Sequence, residues 1–260
     1  MTAPTKAGEI SVRHCHGIEE FKVCFDLQQS TWGKSDIDIP VPMFAVAAET
    51  GGQVLGAFDG DRMVGFTLAI AGWRDGHAFL HSHMTAVLED YRDRGIGRCL
   101  KLFQRDDALA RGIGLVEWTF DPLEVKNAYF NLMRLGAIAR RYLPNVYGVT
   151  SSPLHGGIPT DRLVAEWWLA SPRVEAILAG RANAPDQAAH QPAPSQERAQ
   201  ILVPADLPEP RQSDLGKSVA IQSKIREQFQ NWIAKGYAAT RVERSADGAR
   251  YILEPWKDSA

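Results

Sequence analysis

Residues 81–104 read HSHMTAVLEDYRDRGIGRCLKLFQ, and the way this stretch turns decides the fold. Phe79 to Val87 suits a strand, and Leu88 to Asp93 a short polar turn. An amphipathic helix starts directly after Arg94-Gly95-Ile96-Gly97-Arg98. A strand that feeds a glycine-containing turn at a helix start makes an anion-binding nest, since free N–H groups and the positive end of the helix dipole converge there. Gly95 and Gly97 carry no Cβ, so a phosphate group can approach the backbone closely. A dinucleotide-binding turn and a plain structural turn are the rival readings. The dinucleotide turn needs G-x-G-x-x-G. The residue three after Gly97 is Leu100, so that pattern is incomplete.

The chain has 260 residues, enough for one large domain or two modest ones. With 45% hydrophobic and 23% charged residues its composition is that of a globular protein. A formal charge of −2, with Lys and Arg scattered, gives no basic face for nucleic acid. No apolar run reaches the ~18 residues of a membrane span, and MTAPTKAGEI lacks the apolar core of a signal peptide. Cys15, Cys24 and Cys99 are an odd set without metal spacing, which suits reduced thiols. The expectation is a cytoplasmic chain without membrane or nucleic-acid partners.

Outward from the opening stretch, ISVRHCH at 10–16 alternates as a first strand. A helix follows from Ile18 to Gln29, with Ile18, Phe21, Cys24 and Phe25 as its apolar stripe and Val23 and Leu27 widening it. Asp36 to Ala48, with Pro40 and Pro42, reads as a loop entering a second short helix. QVLGAF and MVGFTLAIAG flank Asp59-Gly60-Asp61 as a hairpin, and Arg74-Asp75-Gly76 turns into the opening strand. After the turn, the helix from Gly97 to Ala110 puts Ile96, Leu100, Phe103 and Ala110 on one face. A near-continuous apolar strand at 114–120 and a helix at 127–136 closed by Gly136 come next. Residues 138–150 and 161–170 supply two more strand candidates. Six of the 15 prolines fall between Pro185 and Pro210, which argues against regular structure there, and 180–199 reads as a linker. A helix faced by Ile221, Ile225, Phe229, Trp232 and Ile233 and a hairpin around Ala246-Asp247-Gly248 end the chain.

Arg92-x-x-Gly95-x-Gly97, set between a strand and a helix, resembles motif A of the GNAT superfamily of N-acyltransferases. Asn127 to Ala137, with its closing Leu135-Gly136-Ala137, resembles motif B of that superfamily. The resemblance implies an α/β (α+β) GNAT fold: a mixed, mostly antiparallel central sheet flanked by helices, with a C-terminal helix-plus-hairpin extension. It implies a GNAT domain over 8–172, the linker at 180–199, and an extension over 200–260 docking on the domain. It further implies coenzyme A as cofactor, held by the backbone of Met84, Thr85, Ala86 and Val87 and by Arg92, Arg94, Gly95, Ile96, Gly97 and Arg98. Asn127 and Phe130 of motif B would complete the contacts. The stretches LHSHMTAV, YRDRGIGRCLK, KNAYFNLMRLGA, RRYLPNVYG, SSPLHGGIPTDRLVAEWW and GYAAT are similar to a bacterial branch of the superfamily that includes succinyl-CoA-dependent acyltransferases of amino acids.

The implied function is N-acyl transfer from acetyl-CoA or succinyl-CoA to the amine of a small molecule or amino acid, by a chain that could pair as a homodimer. The alternative is a coenzyme A-binding regulatory module without turnover. Acyl transfer needs a base for the ammonium proton, for which His81, His83 and Glu117 are candidates, His83 first among the histidines. His81 and His83 share one face of their strand. His77, His81 and His83 lack a further ligand nearby, so no metal site is expected. Many GNAT enzymes carry a tyrosine acid four residues before the motif B glycine. Leu132 stands there, which leaves Tyr129, Tyr142 and Tyr147, of which Tyr142 is the one carried forward. A succinyl carboxylate needs a cation, and Arg162 is the first candidate, then Arg140 and Arg141. Each of these residues also has a plainer role open to it: a packed core side chain, a helix cap or a surface ion pair.

Overall fold

Two antiparallel hairpins in succession, β2–β3 and β3–β4, form the frame of the first half of the chain. They are built by β2 (Gln53–Asp59), β3 (Arg62–Arg74) and β4 (His77–Val87), with β1 (Ser11–His14) paired antiparallel to β2. The computed structural model describes residues 10–33, 38–148, 157–181, 198–209 and 211–257. By packing, the chain divides into two units, 1–116 and 117–260.

In the first unit α1 (Gly17–Trp32) and α2 (Val41–Glu49) cover one sheet face, and α3 (Ile96–Ala110) covers the other. Strand alternation divides the core accordingly. Phe21, Cys24, Phe44, Phe66, Leu68 and Ala86 pack in one cluster. Leu55, Ala57, Val64, Ile96 and Leu100 pack in the other. Pro40 and Pro42 start α2, where a proline's missing N–H costs nothing. The expected stripe of α1 shifts in register: Ile18 and Val23 are 48% and 39% exposed, and Phe21, Cys24, Leu27 and Gln28 face the sheet. Ala110 likewise faces solvent at the end of α3.

The second unit carries β5 (Leu115–Phe120), whose first two residues belong to the first unit, then α4 (Val125–Tyr129) and β6 (Ile138–Leu143). β7 (Arg162–Trp168), α5 (Pro172–Leu178), β8 (Ala199–Pro204), α6 (Leu215–Ala234), β9 (Tyr237–Ser245) and β10 (Gly248–Pro255) follow. Its strands run in the order β5-β7-β6-β9-β10-β8. β6 is antiparallel to β7 and to β9, and β10 is antiparallel to β9 and β8. The residues expected to dock as an extension therefore continue the sheet itself: β9 bonds to β6 directly. The packing division at 116/117 lies inside the span 8–172 expected for the first domain. Pairing with β10 also makes a strand of AQILVP, inside the proline-rich segment expected to lack regular structure. Most of the expected linker, and 151–156 of the motif SSPLHGGIPTDRLVAEWW, lie outside the described residues.

Asp161 anchors α6 in this unit. Its side chain is fully buried and accepts from Tyr142 Oη at 2.6 Å, from Arg226 Nε and Nη2 at 2.7 and 2.8 Å, and from Asn145 N at 3.0 Å. Removing one partner of such a buried cluster leaves the others unpaired. Asp161→Ala is expected to lower the unfolding free energy by about 3 kcal/mol, and Tyr142→Phe by about 1 kcal/mol, in urea denaturation.

Candidate functional site

β4 leaves the first unit's sheet at Val87, makes a short 3₁₀ turn over Glu89–Tyr91, and enters α3 through Asp93, Arg94 and Gly95. Asp93 and Gly95 both sit at positive φ, 60° and 80°. Aspartate tolerates that region and glycine enters it freely. Gly95 is the N-cap residue, and no side chain among the described residues caps the helix. Cys99 N donates to Gly95 O at 3.0 Å, which leaves the amides of Ile96, Gly97 and Arg98 pointing out of the helix end. A Cβ built on Gly97 meets no atom of the described residues within 4 Å. Nothing in the packing of the described residues asks for glycine there, and they leave the space in front of it open. Arg92 and Arg94 flank it, both exposed, with Arg94 stacked 4.9 Å above the Tyr91 ring. Tyr91 is fixed by donating to Asp59 at 2.8 Å. Backbone amides, open space and arginines are the donor set a pyrophosphate requires.

The preceding strand holds a feature that alternation does not predict. Leu68 and Ala69 of β3 are consecutive, yet they pair with Met84 and Ser82 of β4, so His83 is the extra residue of a β-bulge. Bulges re-aim side chains and often stand beside active sites. His83 and His81 lie close on one side of the bulge, ring centroids 6.1 Å apart. Burial lowers the His83 pKa from its ordinary value near 6.5, so its imidazole is neutral at pH 7. Met84 and Ala86 pack with the α1–α2 core, Val87 packs with the α3 core, and the Thr85 hydroxyl bonds that of Thr67 at 2.8 Å.

Under α3 runs a buried polar seam. Lys101 Nζ donates to Ser82 Oγ at 2.7 Å and to Gln104 Oε1 at 3.1 Å. Gln104 and Gln53 bond reciprocally, and Gln53 donates to Asp107 at 2.6 Å. Asp107 also bonds His14 at 2.9 Å and Arg111 at 3.1 Å. Lys101 thus ties the helix that carries the nest to the residue next to the bulge. Residue type alone does not reveal this role, since lysine in an amphipathic helix reads as solvent-facing. The available signal was position: Lys101, Gln104 and Ala108 follow Leu100 on the buried face.

In the second unit Glu117 and Glu166 are buried and share Arg141, whose Nη2 bonds Glu117 and whose Nε donates to Glu166 at 3.1 Å. Arg140 Nε donates to Glu166 at 2.8 Å, and Arg162 Nη1 to Asp161 O at 2.8 Å. Arg140, Arg141 and Arg162 therefore all have protein partners, and Glu117 is an ion-paired carboxylate. Tyr142, the expected acid, stacks on Phe229 and donates to Asp161. Burial, then that carboxylate, pushes its pKa up, so it holds its proton firmly for a structural bond. Asn127 is exposed and lies inside α4; the N-cap position is held by Glu124. Beyond α4 the helix continues as a π turn over Phe130–Arg134. Buried Asn131 stands there with its Nδ2 unpartnered among the described residues, the kind of irregularity frequent at functional sites. No three of the described His, Cys, Asp and Glu side chains gather as metal ligands, and no described helix is long and apolar enough to cross a membrane.

No family model matches the chain, and no curated protein matches it in sequence. Solved structures do match it. Arabidopsis thaliana NAA60 in complex with acetyl-CoA superposes with a TM-score of 0.50 at 12% identity, covering 62% of this chain and 99% of that one. The smu.2055 protein of Streptococcus mutans UA159 gives 0.50 at 18% identity, with 62% and 99% covered. A GNAT family acetyltransferase from Elizabethkingia anophelis with acetyl-CoA bound gives 0.47 at 13% identity, with 61% and 97% covered. At these identities the likeness is one of fold.

Burial pushes the Lys101 pKa from 10.5 down to about 7. Between those values the unfolded chain binds the extra proton, so stability rises with pH through this window and is lost as pH falls toward 7. Urea denaturation is expected to show wild type gaining about 2 kcal/mol more than Lys101→Met between pH 7 and pH 9.

Proposed function

Since the chain has the GNAT fold, we propose that it is an acyl-CoA-dependent N-acyltransferase, with an acetyl donor and a small amine, an amino acid among the candidates, as acceptor. The observation that carries this reading is the uncapped start of α3, with open space before Gly97 and arginines beside it, directly after a bulged strand. The residues present fit the pyrophosphate of coenzyme A: the amides of Ile96, Gly97 and Arg98 donate to it, and Arg92 and Arg94 offset its charge. The backbone of Met84, Thr85, Ala86 and Val87 is the run proposed to hold the pantetheine and the thioester. Bound acyl-CoA supplies an activated acyl carbon and a thiolate leaving group. The chain's own part is to fix that carbon, take the acceptor's proton and stabilise the developing charge.

His83 is the proposed base. It projects from the bulge beside Met84, and burial keeps it neutral at pH 7, ready to accept a proton. Tyr142 is set aside as acid because its proton is committed to Asp161. Glu117 is set aside as base because Arg141 neutralises it. A succinyl donor finds less support than acetyl, since Arg140 and Arg141 already serve Glu166 and Arg162 serves the Asp161 carbonyl.

Titration calorimetry with acetyl-CoA is expected to show binding to wild type. Gly97→Val should weaken it at least about tenfold, or ~1.4 kcal/mol, with the melting temperature little changed. Unchanged affinity in that variant would make the turn structural only. Thiol release with a panel of amines separates an enzyme from a module that binds without turnover.

For His83→Ala, kcat is expected to fall about 100-fold. Because the folded pKa lies below 6.5, wild-type activity should persist at neutral pH and drop on the acid side of that value. The variant should lack this acid limb, and a limb retained in it would assign the base elsewhere.

A further inference from the structure

The helix formed by α4 and its π turn, 125–134, is tied at both ends to residues beyond 199, at its start directly and at its other end through Arg173. At its start, Arg211 is 4% exposed and grips two carboxylates, Asp121 Oδ2 through Nη1 and Glu124 Oε1 through Nη2, each at 2.6 Å. Glu124 is the N-cap residue of α4. The Arg211 carbonyl in turn accepts from Ser218 Oγ of α6 at 3.0 Å. Buried Tyr251 of β10 donates to Pro122 O at 2.8 Å, inside the same loop. At the other end, Arg173 donates to Leu132 O and Gly136 O, both at 3.1 Å, and to Thr240 O of β9 at 2.5 Å. One guanidinium therefore joins the C-terminal carbonyls of the helix to the added strand.

A loop of four residues, 121–124, needs no buried bidentate arginine merely to turn a corner. Asp121 already accepts from Leu123 N at 2.8 Å, which closes the local turn. The second anchor, on Glu124, acts on the first turn of the helix itself. Two charge-assisted bonds from a planar, buried guanidinium fix direction as well as distance. The geometry points to a role for the C-terminal segment 199–257: it is a clamp that sets the position of the helix bearing Asn127, Asn131 and Phe130, with Arg211 as its positioning residue. The clamp lies wholly within the second unit and stands on its own geometry, independent of the acyltransferase reading.

The test uses the full chain in wild-type, Arg211→Ala and Tyr251→Phe forms, followed by amide hydrogen exchange. Arg211→Ala should speed exchange across 123–134 while the β2–β3–β4 hairpins exchange as before. Tyr251→Phe removes one hydrogen bond and no charge, and should show the same local pattern at smaller amplitude. Unaltered exchange at 123–134 in a folded Arg211→Ala chain would overturn the clamp. Should that variant fail to fold, unaltered exchange there in Tyr251→Phe would overturn it equally.

Discussion

The left-handed turn at Gly95 is the constraint on which the site depends. With φ at 80° the chain swings from the exit of β4 into α3 without a side chain to cap the helix, so the amides of its first turn remain directed outward. An L-residue with a Cβ resists that conformation, and a capping serine or aspartate would occupy the same amides. The position thus gives up a side-chain cap and leaves those amides directed toward the proposed anion site. Three features of the first unit hold this turn in place: the β3–β4 pairing, the Tyr91–Asp59 bond and the packing of Ile96 and Leu100 in the α3 core.

The second constraint is the bulge at His83. One extra residue changes which side chains face α3: Ser82 reaches Lys101, while Met84 joins the core under α1 and α2. Lys101 is fully enclosed, and its short bond to Ser82 joins the two parts of the proposed donor site within one unit. Burying an amine costs less when it is neutral, which is why its proton is held loosely.

What the sequence makes legible follows from physics that residue type encodes. Gly95 and Gly97, the Asp59-Gly60 turn and the period of the strands are local signals, and the fold order from β2 to α3 could be read from them. Three other features depend on partners far away in sequence. The bulge is a matter of register between β3 and β4, which residue identity does not record. AQILVP becomes a strand because β10 pairs with it, against the proline content around it. Arg211 has no local pattern at all; its meaning lies in Asp121 and Glu124, ninety and eighty-seven residues away. Candidates chosen by residue type alone fared unevenly for the same reason. Tyr142 and Glu117 suit acid and base roles in composition, yet Asp161 and Arg141 engage both.

The central claim is that a coenzyme A pyrophosphate binds the first turn of α3. Amide-resolved NMR of the ¹⁵N-labelled chain, titrated with coenzyme A, reads that turn directly. The account predicts the largest shifts at Gly95, Ile96, Gly97 and Arg98, with a second group at Met84–Val87. Saturable binding that leaves those amides unshifted would contradict it, and so would the absence of any shift at millimolar ligand.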